Sequence, residues 1–178
     1  MINQDLLITI DQKSYRVGDY VYLFDPSTDQ LLANRWSDLK MSRSSTCTDG
    51  RYYPLGGGRI PGEESMDALL REVHEETNGL LQLAKDELIP LTVLNVLART
   101  PWRYSPRGPI MHGKQFHLYV AIIDSAVMPP FTNIEVDGTS WLYTWYDRQE
   151  VLKNNTYVTV AYWDDFVAKN GHFFKTSS

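Results

Sequence analysis

No disulfide can close within this chain, because a single cysteine, Cys47, stands among its 178 residues. That excludes the small disulfide-stapled secreted scaffolds and suits a reducing compartment. Long apolar runs are missing as well. The longest clean one, LYVAII at 118–123, falls far short of the ~20 residues that cross a bilayer. The opening MINQDLLITIDQK has neither a basic segment nor an apolar stretch of signal-peptide length. The expectation is a soluble cytoplasmic protein with no membrane partner. An excess of positive charge is also absent. The net charge of -5 argues against a general nucleic-acid binder, which is basic as a rule.

What is present suffices for a core. With 43% hydrophobic and 12% aromatic residues, the chain fits one domain over residues 1–178 that needs no staples. Its charge is unevenly spread. From Leu88 to Ile123 there is no Asp or Glu, and Arg99, Arg103, Arg107 and Lys114 fall inside that stretch. From Glu63 to Glu76 there are six acids against one arginine. One segment is suited to anions, the other to cations.

Strand patterns occupy 19–24, 29–36, 91–98, 115–123 and 139–146, rich in branched and aromatic residues, with the turn signal DPSTD after the first. Trp141 and Trp145 alternate along the last of these and are expected to pack as core. Helical spacing appears at 64–77, where Leu69 and Val73 share a stripe, and at 159–171, which ends on Gly171. Strands and helices intermix, which predicts a sheet covered by helices, α/β or α+β.

The stretch REVHEETNG, residues 71–79, poses a physical problem. On a helix Glu72, Glu75 and Glu76 share one face. Two such charges about 4 Å apart repel by roughly 4 kcal/mol at the effective dielectric of a protein surface, and one exposed ion pair to Arg71 returns only about 0.3–0.5 kcal/mol. A cation belongs on that face. Ahead of it lies YYPLGGGRIPGEES, whose glycines let backbone groups approach a ligand closely. Clustered carboxylates behind such a loop suit a hard divalent cation carrying phosphate oxygens.

Gly57, Glu63, Arg71, Glu72, Val73, Glu75 and Glu76 fall in register on the Nudix box, G, five residues, E, seven residues, R-E-U-x-E-E. The chain therefore resembles the Nudix hydrolases, specifically over 57–76 and in outline over its whole length. The box departs from its pattern at Asn78, which stands where glycine is usual and is followed by Gly79. Asn is also tolerated in the left-handed conformation that ends a helix. The resemblance implies an α/β/α sandwich with a mixed sheet. It implies Glu72, Glu75 and Glu76 as ligands of Mg²⁺ or Mn²⁺, with the Gly57 carbonyl as a further ligand and Glu63 and Arg71 orienting the carboxylates. The reaction implied is attack of water on a phosphorus of a nucleoside diphosphate linked to another group.

Outside the box, Glu135, just before the last strand pattern, is the candidate general base by the same resemblance, with Asp137 beside it. His74 reads as a surface residue and Cys47 as no nucleophile. The stretch 98–114 is expected to be a loop in which Arg103, Arg107 and Trp102, with Tyr104, meet a small-molecule nucleotide. Its alternative use is a contact between copies in a homodimer. Arg59 and Trp36 are further substrate-facing candidates.

Overall fold

The computed structural model describes residues 5–35, 51–103, 108–134, 140–154 and 158–172. Its axis is one long strand, β2 (Lys13–Asp25), whose sequence KSYRVGDYVYLFD is dominated by aromatic and branched side chains that favour an extended chain. β1 (Leu7–Ile10) folds back on it through Asp11 and Gln12, both at positive φ (47° and 61°), the backbone of a tight hairpin turn. On one side β2 pairs in parallel with β7 (Met111–Ile122), from Tyr15 opposite Gly113 to Phe24 opposite Ile122. β6 (Ile89–Trp102) closes that edge antiparallel to β7.

On its other side β2 forks. Its middle, Gly18 to Val21, pairs with β5 (Leu55–Gly58), and its last residues, Leu23 to Asp25, pair with β3 (Gln30–Arg35). β4 (Tyr52–Tyr53) adds to β3, and β9 (Ser140–Asp147) and β8 (Phe131–Ile134) extend the sheet outward. The main order is β6-β7-β2-β3-β9-β8, a mixed sheet. At the end of β2 the buried Asp25 accepts hydrogen bonds from Ser27 N and Oγ (2.8 and 2.6 Å) and Ser125 N (3.0 Å), tying two turns together.

Alternation along β2 sorts the core into two layers. Tyr22 and Phe24 meet Leu31, Phe116, Leu118 and the C-terminal helices α2 (Arg148–Lys153) and α3 (Val160–Lys169), whose Trp163 is fully buried against both rings. Val21 and Leu23 meet Leu32, Leu55, Tyr143 and the Leu69–Val73 stripe of α1 (Ser65–Glu76). Each fully buried Leu or Val contributes about 1.5–3 kcal/mol. Helices thus cover both faces, the α/β/α sandwich expected.

The five strand patterns lie on β2, β3, β6, β7 and β9, and the helical ones on α1 and α3. Two differences have physical causes. The stretch 98–114 is not a loop throughout: a register shift between Leu97 and Trp102 lets β6 resume, with Trp102 opposite Met111. β5 escaped notice because LGGG carries no strand propensity; its partner strand imposes its conformation. Among the described residues no helix is long and apolar enough to cross a membrane.

Candidate active site

α1 begins beyond the exposed Glu64 and ends in a paired-bond turn. Gly79 N donates to His74 O (2.8 Å) and Asn78 N to Glu75 O (3.2 Å), with Asn78 at φ 51° and Gly79 at φ 74°. This is the Schellman arrangement. Asn78 takes the left-handed position and the helix stops on schedule, so the departure from the box leaves Glu75 and Glu76 on the last turn.

The glycines exist because α1 sits directly on β5. A Cβ on Gly57 would lie 2.2 Å from Glu72 Oε2, and one on Gly56, at φ +132°, would lie 2.2 Å from the Asp19 carbonyl. Arg59 N donates to Val17 O (3.1 Å), so by antiparallel alternation the Gly57 backbone also points into the β2 ladder, opposite Asp19. The expectation that the Gly57 carbonyl faces the carboxylates is therefore not met. Its neighbours turn outward instead: Gly56 N donates to Glu76 Oε2 (2.9 Å), and Gly58 O accepts from Arg71 Nη2 (3.0 Å).

Arg71 is the hub of the carboxylate face. Its guanidinium meets Glu63 through Nε (2.8 Å) and Nη2 (3.1 Å), Glu72 through Nη1 (2.7 Å) and Glu75 through Nη1 (3.2 Å). This fork geometry is one a lysine could not reproduce. The Arg71 hydrogen bond, ahead of other effects, holds the Glu63 carboxyl below its usual range. Glu72 is pushed the other way: burial raises it, Arg71 opposes, and Glu75 adds to the rise. One arginine does not neutralise this face. Glu76 turns aside to Gly56 N and to the hydroxyl of Tyr143 on β9 (3.0 Å). Among the described residues no three His, Cys, Asp or Glu side chains converge as a ready metal cage. Glu75 itself is 59% exposed.

Beneath the loop lies a second ionic centre that the sequence reading missed. Asp19 is fully buried on β2 and takes both arms of Arg59, at 2.8 Å from Nε and 2.6 Å from Nη2. The hydroxyl of Ser65, in the first turn of α1, donates to the same carboxylate and lies 2.7 Å from Tyr119 Oη. Arg59, expected to face substrate, has its fork committed here, and the Asp19 hydrogen bond raises its already high pKa against the pull of burial. Asp19 could have been flagged, since it shares the alternation of Val21 and Leu23 and so points at the core. Tyr143 gave no such signal; its role depends on β9 arriving beside α1.

The other candidates sit elsewhere. Trp102 lies opposite Met111, six residues before His117, and His117 is in register with Asp19. That is about 20 Å along the strands from the glycine run. Arg103 is exposed and donates to the Gly108 carbonyl. His74 is exposed, as expected. Trp145 is half-buried and donates to Met128 O (2.8 Å). Glu135, Asp137, Arg107, Tyr104, Trp36 and Cys47 lie outside the described residues.

A family profile described as NUDIX domain matches residues 14–163. The chain belongs to the Nudix family. It is a phosphohydrolase of that family, a group that generally uses a divalent metal. No curated protein sequence matches it. Among solved structures it is similar to a dihydroneopterin triphosphate pyrophosphohydrolase of E. coli, with TM-score 0.55 and 16% identity over 87% of this chain and 98% of that one. It is also similar to a MutT protein of Methanosarcina mazei Go1 (0.51, 18%, over 94% and 100%) and to a mutT/nudix family protein of Listeria innocua (0.52, 17%, over 95% and 100%). At these identities the likeness is one of fold.

Proposed function

We propose that this Nudix protein hydrolyses a pyrophosphate bond in a nucleoside diphosphate linked to another group, using Mg²⁺ or Mn²⁺. The observation that carries the reading is the face of Glu63, Glu72 and Glu75 gathered on Arg71 over a strand of glycines, with Glu76 at its border. Its donors are hard oxygens, and burial, with Glu75 nearby, holds the Glu72 carboxyl above its usual range even with Arg71 beside it, so the residues fit such a cation in kind and charge. Glu72, Glu75 and Glu76 would hold it, with an outward carbonyl of the glycine run. When bound it would neutralise phosphate charge and lower the pKa of the attacking water. Arg71 fixes Glu63 and Glu72 in place, Tyr143 and Gly56 N orient Glu76, and Glu135 is the general base of this reading.

Glu76→Gln should fold normally and lose most turnover, and excess EDTA should silence the wild type, when a panel of nucleotides is followed by chromatography of products. Full activity under either condition overturns the metal-dependent mechanism. Glu135→Gln should lower kcat about a hundredfold with little change in KM; a loss under about threefold removes it from the site. The competing reading is a nucleotide-binding module without turnover. One observation favours it, that Glu76 is engaged by Gly56 N and the Tyr143 hydroxyl, apart from the carboxylates gathered on Arg71. It requires calorimetric nucleotide binding with no product from any member of the panel.

A further inference from the structure

On the face of the sheet opposite α1, two cations stand side by side with one carboxylate between them and the chain. Arg16 of β2 and Lys114 of β7 are in register on adjacent parallel strands, so their side chains leave the same face. Arg16 binds Asp5, through Nε to Oδ2 at 2.8 Å and Nη2 to Oδ1 at 3.2 Å. Lys114 is half-buried and its ammonium makes no ion pair or hydrogen bond among the described residues, although an ammonium removed from water without a partner is unfavourable. The Asp5–Arg16 pair packs over Gly58, where a Cβ would fall 2.3 Å from Asp5 Oδ1 and 2.7 Å from Arg16 Nη2, and the Tyr20 ring packs over Gly18, which lies opposite Gly58. Phe116, in register with Gly18, and Tyr20, two residues further along β2, pack their rings at 5.3 Å between centroids, walling the cluster on its apolar side.

We propose that Arg16 and Lys114 form a seat for a phosphoryl oxyanion, fixing a phosphate group of the nucleotide beside the half-buried Lys114. The identity of the ligand as a nucleotide rests on the function proposed above; the oxyanion chemistry does not. Among the described residues the seat sets two cations against one carboxylate and combines a guanidinium with an ammonium, the donor types that suit an oxyanion. Burial and the neighbouring Arg16 both disfavour the charged form of Lys114, and an anion would relieve both. Gly58 connects the two faces, because its carbonyl holds Arg71 while Asp5 and Arg16 lie over its Cα.

Inorganic pyrophosphate, titrated by calorimetry into the purified full chain in EDTA, tests the seat without hydrolysis. The wild type should bind, Lys114→Arg should retain most of the affinity, and Lys114→Met should lose roughly tenfold or more. Lys114→Met keeps the apolar stem and removes a desolvated charge, so its melting temperature in anion-free buffer should equal or exceed wild type. Binding that is undetectable in the wild type, or equal in wild type and Lys114→Met, overturns the proposal. With binding lost, a KM for the hydrolysed nucleotide raised roughly tenfold identifies the substrate's own phosphate as occupant. A KM that stays put while inhibition by free phosphate disappears identifies the released product instead. If the panel shows no hydrolysis but pyrophosphate binding still depends on Lys114, the seat stands and the hydrolase reading fails.

Discussion

Replacing Asp19 by Asn should destabilise the fold more than any change on the exposed carboxylate face. Asp19 is 0% exposed and its two oxygens serve Arg59 and Ser65, whereas the Arg59 side chain retains 12% exposure. Removing one member of a buried pair costs about 3–5 kcal/mol. The carboxamide put in its place keeps one acceptor oxygen and Arg59 can swing partly into water, so about 2–3 kcal/mol is expected here. For 178 residues the unfolding entropy is about 0.37 kcal/mol/K, so the melting temperature should fall by about 5–8 °C. Urea denaturation of Asp19→Asn, Arg59→Met and the double variant would measure it, the double variant recovering about 1 kcal/mol or more of the summed loss because neither partner is left stranded. A single-variant loss below about 0.5 kcal/mol, or strictly additive losses, would refute the view that this pair pins the glycine run to β2.

Gly57→Ala meets no backbone penalty from a positive φ, but its methyl would displace the Glu72 carboxylate. Stability should change by less than about 1 kcal/mol while kcat/KM falls about ten- to a hundredfold, and a change within about twofold would show that Glu72 tolerates displacement. Burial opposes ionisation of Asp25, yet hydrogen bonds from Ser125 and Ser27 outweigh it and hold its carboxyl far below the ordinary 3.8. The folded state therefore binds fewer protons than the unfolded one. The resulting stability is present above about pH 4 and is lost as pH falls below it. Asp25→Asn should lower stability at neutral pH and flatten the acid limb of stability against pH; equal limbs would contradict this.

The helix and its chemistry were legible because they are local. Offsets of three and four on one helix, a glycine run and an acid eight residues before Arg71 are all contained in residues 57–76. The strands at 19–24 and 115–123 were legible because buried strands announce themselves by composition. What escaped depends on distant partners. β5 is a strand only because β2 offers it a ladder. The outward turn of Gly56 and Gly58, in place of Gly57, follows from a register fixed by Asp19. Tyr143 reaches Glu76 across a gap of 67 residues in sequence. Arg59 reads as a phosphate ligand until the carboxylate beneath it is seen.

The fork on β2 bears on how portable this site is. A fragment carrying residues 57–79 into another scaffold would bring the carboxylates of Glu63, Glu72, Glu75 and Glu76, the arginine at their centre and the turn that ends their helix. It would leave behind the hydroxyl that steadies Glu76, which comes from the branch of the sheet beyond β3, and the buried carboxylate on the shared stem that anchors Arg59 and Ser65. The heritable module is thus larger than the motif: the smallest piece that could be transplanted intact is the stem strand with both of its branches and α1.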